Sequence, residues 1–455
     1  MRKICSLTVL AAMLCGVTSF AFAQGSIESK KLPSSFLNRV PKTAHSKDSL
    51  AAFGPNKKNA GNGAKTAEAT SGLPGVDSVA NWSDQFITPG FDSNGNPQSV
   101  WPYTMVGTPP ESGETTRINA PIVPVTLDLL GPNGKVASYN GQPLTFSDSP
   151  DIVQAVVNSP VFSDFTYNSG TGQFNDQMMR TQFWDRIHHS RGGEEGDDNE
   201  EGGWHTVLRP SVKTGRRMQI PFGFWFFFVD ANNNPVAAAI DENTFGNLLF
   251  PTTVPVDNTT PIGAAELAGD ITTHDISTFL FNNVYLYSNG NISDCCIIGY
   301  HTYDFEPGDS TNGNRERRYV LNYSSWLLNG FFAFGFEDIT PFSHEMAETF
   351  DDPFVNNQTP WWLSIDPFLS GVGLSGGLCQ NNLEVGDVIE VLTSNPVYAA
   401  ALNGRTYHPQ NVALFPWFAF QSPSHARNGA YSFPDETTLT SLSPGNLLAG
   451  CKPGP

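Results

Sequence analysis

His344, Glu345 and Glu348 stand together in the string Ser343-His344-Glu345-Met346-Ala347-Glu348. On an α-helix, residues four apart lie one turn apart on the same side, so His344 and Glu348 face one direction and Glu345 stands beside them, about 100° around the axis. This is the layout of the zinc-peptidase helix His-Glu-x-x-His, in which two His bind zinc and the Glu activates water. Here Glu348 replaces the second His. A carboxylate ligates zinc through oxygen, and a His with two acidic groups still leaves a position for water. One imidazole with two carboxylates is nevertheless a harder, more negative set than usual, so calcium and manganese compete with zinc. Glu345 takes the role of general base toward the water. The alternative is an ordinary amphipathic helix whose polar face is solvated.

The flanking residues bracket such a helix. Thr340 reads as its N-cap and Pro341 as its first residue, while Pro353 disfavours helix at Asp352. Phe342, Met346 and Phe350 recur every four residues as a core-facing stripe, and His344, Glu348 and Asp352 form a second stripe about 160° around. Asp352 either orients His344 or caps the helix end. Upstream lies Cys295-Cys296-Ile297-Ile298-Gly299-Tyr300-His301, and downstream Cys379-Gln380-Asn381-Asn382-Leu383-Glu384-Val385-Gly386-Asp387.

This ordered set, with Phe354-Val355-Asn356 and Trp361-Trp362 between, resembles the phosphate-induced, EXORDIUM-like family and its exported bacterial relatives. In that family a Gly-aromatic-His element precedes a His-Glu-x-x-Glu helix ending in Asn/Asp-Pro. An aromatic pair and a Glu-x-x-Asp element near a Cys follow. Ser159-Pro160-Val161-Phe162, Gln182-Phe183-Trp184 and the aromatic stretch Phe415 to Phe420 before Cys451 extend the likeness, as scattered motifs, over residues 120–455. The chain departs from the plant pattern at Asp352, where Asn is common, and in placing Cys379 before Glu384 after a Gly-rich segment. The resemblance implies an exported protein with a zincin-like fold, a metallopeptidase-like helix and no settled substrate. It makes His344 and Glu348 metal ligands, with the third from Glu384 or Asp387. Glu384 is preferred because its longer arm resembles the distal Glu of related peptidases. His301 becomes a candidate for oxyanion stabilisation or a further ligand, against the alternative of a hydrogen-bonded core His on a strand.

Only 15% of the 455 residues are charged, whereas 39% are hydrophobic and 12% aromatic, which excludes global disorder and supplies a large core. With 42 Gly and 34 Pro the chain is turn-rich. Apolar runs such as Ile122 to Leu127, followed by Gly131-Pro132-Asn133-Gly134, read as strands. The clearest hairpin runs from Met218 to Val229, turns at Asp230 to Asn234 and returns from Pro235 to Ile240. Helical spacing marks the segment after Pro150, with Val153, Val156 and Val157, and the segment Asp176 to Ile187. The expected class is α+β and β-rich, in one large domain over 81–455. Residues 81–290 are strand-dominated, and 291–455 carry the zincin-like helix and its site.

Arg2 and Lys3, the apolar run Ile4 to Cys15, and Ala21-Phe22-Ala23 before Gln24 read as a secretory signal over residues 1–23. The mature chain is then secreted or periplasmic. Losing two Lys/Arg and no acid takes the formal charge from −19 to −21, which disfavours nucleic acid and anionic lipid as partners. No later run reaches the ~18 apolar residues a spanning helix needs, so membrane insertion is not expected. Residues 24–80 read as a flexible leader, and Glu194 to Glu201 as a solvated acidic excursion. The four cysteines left after the signal, Cys295, Cys296, Cys379 and Cys451, suggest disulfides. A bond between neighbours demands a strained ring, so Cys295 and Cys296 are each expected to reach one of the distant pair, with free buried thiols as the alternative. His408 and His425 lie in a Pro-rich tail, where surface placement is expected.

Three functions compete. The first is a secreted metal-dependent hydrolase of peptidase type, acting on peptide or extracellular polymer. The second is a catalytically silent exported module that uses the same residues for a structural ion or polar network and binds wall or extracellular polymer. A glycosidase would need a defined acid pair, which nothing in the sequence selects. The hydrolase requires Glu345 free of ligation beside an open position, whereas the silent module predicts a closed or metal-free site.

Overall fold

Strand Thr115–Leu129 (β1) is the spine of an eight-stranded sheet. The computed structural model describes residues 26–32, 70–88, 99–189, 203–364, 378–440 and 442. Helix Phe174–Gln182 (α1) follows β1, and then come strands His205–Val212 (β2), Ile276–Asn282 (β3), Gly299–Glu306 (β4) and Glu316–Trp326 (β5). Helix Thr340–Asp351 (α2) follows β5, and helix Asp387–Leu392 (α3) comes later in the chain. The main path of the sheet runs β2-β1-β3-β5-β4, in which every pair is parallel except β5 with β4; off this path the short strand Thr145–Phe146 also pairs antiparallel with β1. The chain is therefore mixed and strand-rich, in keeping with an α+β class, but its main sheet is largely parallel where hairpins were expected.

Burial on both faces explains the sheet's composition. Ile122 and Val123 are both fully buried yet belong to different apolar clusters, because successive strand residues point to opposite faces. The first cluster holds Trp82, Phe174, Ile276, Val320 and the α2 residues Phe342, Met346 and Phe350. The second holds Leu127, Phe279, Tyr300 and Tyr323. Helix α2 packs on β5 and β4 and also touches α1 and the strand Ser99–Val106.

Several expectations change. The hairpin forms between Trp225–Val229 and Pro235–Asp241, but Met218 lies in a separate strand, Arg216–Ile220, parallel to the second half of β1. Pro221 and Gly223 separate the two strands. The helix expected over Asp176 to Ile187 is two helices, α1 and Trp184–His189, parted at Phe183. Parts of the expected leader are folded. Leu32 is buried and its N–H donates to the Phe227 carbonyl at 2.9 Å, while Thr70–Ser71 and Val76–Asp77 pair with neighbouring strands. Their few apolar anchors, Leu32 and Val79 among them, suffice to dock these pieces.

The cysteine expectation is overturned. Cys295 and Cys296 are bonded to each other across a cis peptide. A thiol pairs with the nearest thiol in space, and here that is its chain neighbour, buried with Tyr285, Tyr287 and Phe331 in a third apolar cluster. The Cys379 side chain, Cys451, the signal segment, the leader from 33 to 69 and the acidic run 194–201 lie outside the described residues.

Candidate metal centre

All twelve residues of α2 are buried, the charged ones included, so the solvated polar face is excluded. Thr340 begins the helix, and its single hydroxyl proton lies within reach of the carbonyls of Glu337 and His408, both 2.7 Å away, so the side chain does not cap. The helix ends at Asp351, just ahead of Pro353 as expected. One side carries the apolar stripe. The other turns His344, Glu345 and Glu348 toward β4 and the segment entering α3.

The i, i+4 spacing brings His344 Nε2 to 3.0 Å from Glu348 Oε1. The other oxygen, Glu348 Oε2, lies 3.2 Å from His301 Nδ1. His301 sits on β4, where alternation points Gly299 and His301 at α2 and Tyr300 into the opposite cluster. Gly299 lets Glu345 approach closely, since a Cβ there would fall 2.5 Å from Glu345 Oε1 and displace that side chain. From His301 Nδ1, Glu345 Oε2 is 3.7 Å away and Glu384 Oε2 3.9 Å. Asp387 Oδ1 lies on the other side, 3.6 Å from His344 Nε2, and Glu390 Oε1 is 3.5 Å from His344 Nδ1.

The six residues expected at the site are thus assembled from three distant stretches of chain. Glu384 stands with His301, however, and Asp387 with His344, so the acidic group nearest the His344 imidazole beyond α2 is not the longer-armed Glu384. Asp352 does not orient His344. Its carboxylate accepts from the N–H groups of Asn356 and Asn357 and fixes the turn after the helix. His408 is half-buried against Asp338, and His425 is exposed.

Two contributors carried no recognised signal. Gln410 Nε2 donates to the Gly386 carbonyl at 2.9 Å, which turns Gln410 Oε1 to His344 Nδ1, also at 2.9 Å. An acceptor there requires the proton on Nδ1 and leaves the Nε2 lone pair for a cation. Glu390, on α3, follows Glu384 and Asp387 at steps of three along the sequence, a spacing that was readable but unused. Gln410 lies 66 residues from His344 in a segment with no motif.

The electrostatics are those of a buried acidic pocket. Burial lowers the basicity of His301 and His344, but the carboxylates facing each imidazole, Glu384 first for His301 and Glu348 first for His344, raise it well above the ordinary value. Burial pushes Glu345 up to about 7, against the pull of His301 and His344. Burial would raise Glu348 too, but the two imidazoles hold it below the ordinary carboxylate range. Glu384 and Glu390 are pushed well up, first by burial.

Buried polar atoms are normally satisfied. Here His301 Nδ1 and Nε2, His344 Nε2 and both Glu345 oxygens are buried and make no hydrogen bond. Potential ligand atoms lie within 4.8 Å of one another in two groups, His301 with Glu348 and Glu384, and His344 with Glu345 and Glu348. Imidazole and carboxylate donors fit a divalent cation, which would take the place of the proton that the facing carboxylates hold on each ring. A surface cavity of about 530 Å³ lies elsewhere, lined by Asp84, Phe86, Tyr103, Glu111, Arg186 and Phe415 among others, and none of the metal-centre side chains lines it. No family model, curated protein or solved structure matches this chain.

Proposed function

We propose that this chain is an exported metal-dependent hydrolase of zincin type, related to the EXORDIUM-like family and acting on peptide or extracellular polymer. The observation that carries the reading is Glu345. Its carboxyl group is wholly buried, accepts no hydrogen bond and stands beside His344 and Glu348. His344 Nε2 and Glu348 would hold the ion, with an oxygen from Asp387 or Glu384. A zinc ion held there would supply Lewis acidity toward a scissile carbonyl. Glu345 takes the proton of the attacking water and returns it to the leaving nitrogen. Gln410 holds the His344 ring through Nδ1. The fold expectation, a zincin-like core, rests on the motif helix lying against a sheet whose antiparallel strand β4 contributes His301.

A second reading has its own support. His301, His344, Glu345, Glu348, Glu384 and Asp387 are each no more than 3% exposed, which suits a structural ion in a silent module. Elemental analysis of the purified chain, with hydrolysis of a peptide library by wild type and Glu345→Gln, separates them. The hydrolase reading expects zinc in both proteins and turnover in the wild type, falling by about 10²-fold or more in the variant. Zinc without turnover in either protein assigns the silent module. Absence of any bound metal overturns both metal readings.

A further inference from the structure

Glu348 gives one carboxylate oxygen to each of two imidazoles. Oε1 is 3.0 Å from His344 Nε2, and Oε2 is 3.2 Å from His301 Nδ1. Zinc takes nitrogen and oxygen ligands at about 2.0–2.2 Å, so two ligands of one ion stand about 3 to 3.5 Å apart. Both spacings match that figure. The two histidines belong to different ligand groups that share Glu348, so one ion does not collect both rings as they stand.

Each side has a further carboxylate of its own. Asp387 Oδ1 lies 3.6 Å from His344 Nε2, and Glu384 Oε2 lies 3.9 Å from His301 Nδ1. Beyond these, His301 Nδ1 and Nε2 and His344 Nε2 are buried without a hydrogen bond, as are both oxygens of Glu345, which sits between the two sides.

We propose that the centre binds two divalent transition-metal ions bridged by the Glu348 carboxylate, one on the His344 and Asp387 side and one on the His301 and Glu384 side. This rests on the metal-centre reading above and extends it to a two-metal site. Hydrolytic pairs of this kind stand about 3.5–4 Å apart, a span one bridging carboxylate covers. His301 is then a ligand, and Glu345, left out of both ligand sets, keeps the role of base.

Native mass spectrometry of the full mature chain, stripped and reloaded with zinc, counts the ions directly and needs no activity. The expected result is two zinc ions per chain in the wild type and one in His301→Ala, with circular dichroism confirming that the variant is folded. One ion in the wild type overturns the pair while leaving the single-metal reading standing, and none overturns both. Because the wild-type count stands even if the variant does not fold, a second measurement is made on the wild type. Loading with Mn²⁺ should give an exchange-coupled electron paramagnetic resonance spectrum. Two ions with the signal of isolated Mn²⁺ overturn the Glu348 bridge.

Discussion

Gly386 lies flat against the imidazole of His344, and a Cβ built on it would fall 2.4 Å from both Nδ1 and Cε1 of that ring. The Gly386 carbonyl meanwhile accepts from Gln410, and its N–H donates to Glu348 Oε1 at 3.1 Å. One backbone unit therefore sets both the position and the tautomer of the His344 ring. Gly386→Ala should displace the ring, cost about 1–3 kcal/mol through overpacking and weaken zinc binding. Urea unfolding and competition with a chelator measure the two effects. Unchanged zinc affinity would remove His344 from the ligand set.

Gly299 plays the corresponding part for Glu345, whose Oε1 stands 2.5 Å from where a Cβ would sit. Gly299→Ala moves the base without touching His344. Turnover should drop by about 10²-fold or more while zinc content holds. Loss of zinc in step with turnover would make Glu345 a ligand and not the base.

Gln410→Leu keeps the volume but removes the acceptor 2.9 Å from His344 Nδ1, leaving only Glu390 Oε1 at 3.5 Å on that side of the ring. Orienting partners of ligating histidines typically contribute 10- to 100-fold in metal affinity, and a loss of about that size is expected with the fold intact. Isothermal titration with zinc reads it, and an affinity equal to wild type would assign Gln410 a packing role only.

Asp351 supplies a pH test outside the ligand set. Burial raises its carboxyl from 3.8 to about 8, while the side-chain amide of Gln182, donating at 2.7 Å, pulls it back. Between those values the folded chain keeps a proton that the unfolded chain has released. The contribution to stability is complete below the unfolded value and is lost as pH rises through the folded one. Asp351→Asn removes that dependence. Relative to the variant, the wild type should lose stability in urea unfolding between about pH 5 and about pH 8. A constant difference across that window would mean that Asp351 ionises normally.

The α2 helix and its two stripes were legible in the sequence because helix geometry is local. Thr340-Pro341 and Pro353 mark its ends, and a repeat of four places Phe342, Met346 and Phe350 on one side and His344 with Glu348 on another. The strand character of the chain was equally local, carried by short apolar runs between turn residues. Tertiary structure alone decided what faces the helix. The division of Glu384 to His301 and Asp387 to His344, the recruitment of Glu390 and Gln410, and the two glycines that yield space depend on how a strand, a helix and a loop pack together. The parallel order of the sheet and the pairing of Cys295 with Cys296 were hidden for the same reason. Spacing along the chain fixes which side chains share a face, but contacts between distant segments follow from the burial of both faces of a sheet, which no local period encodes.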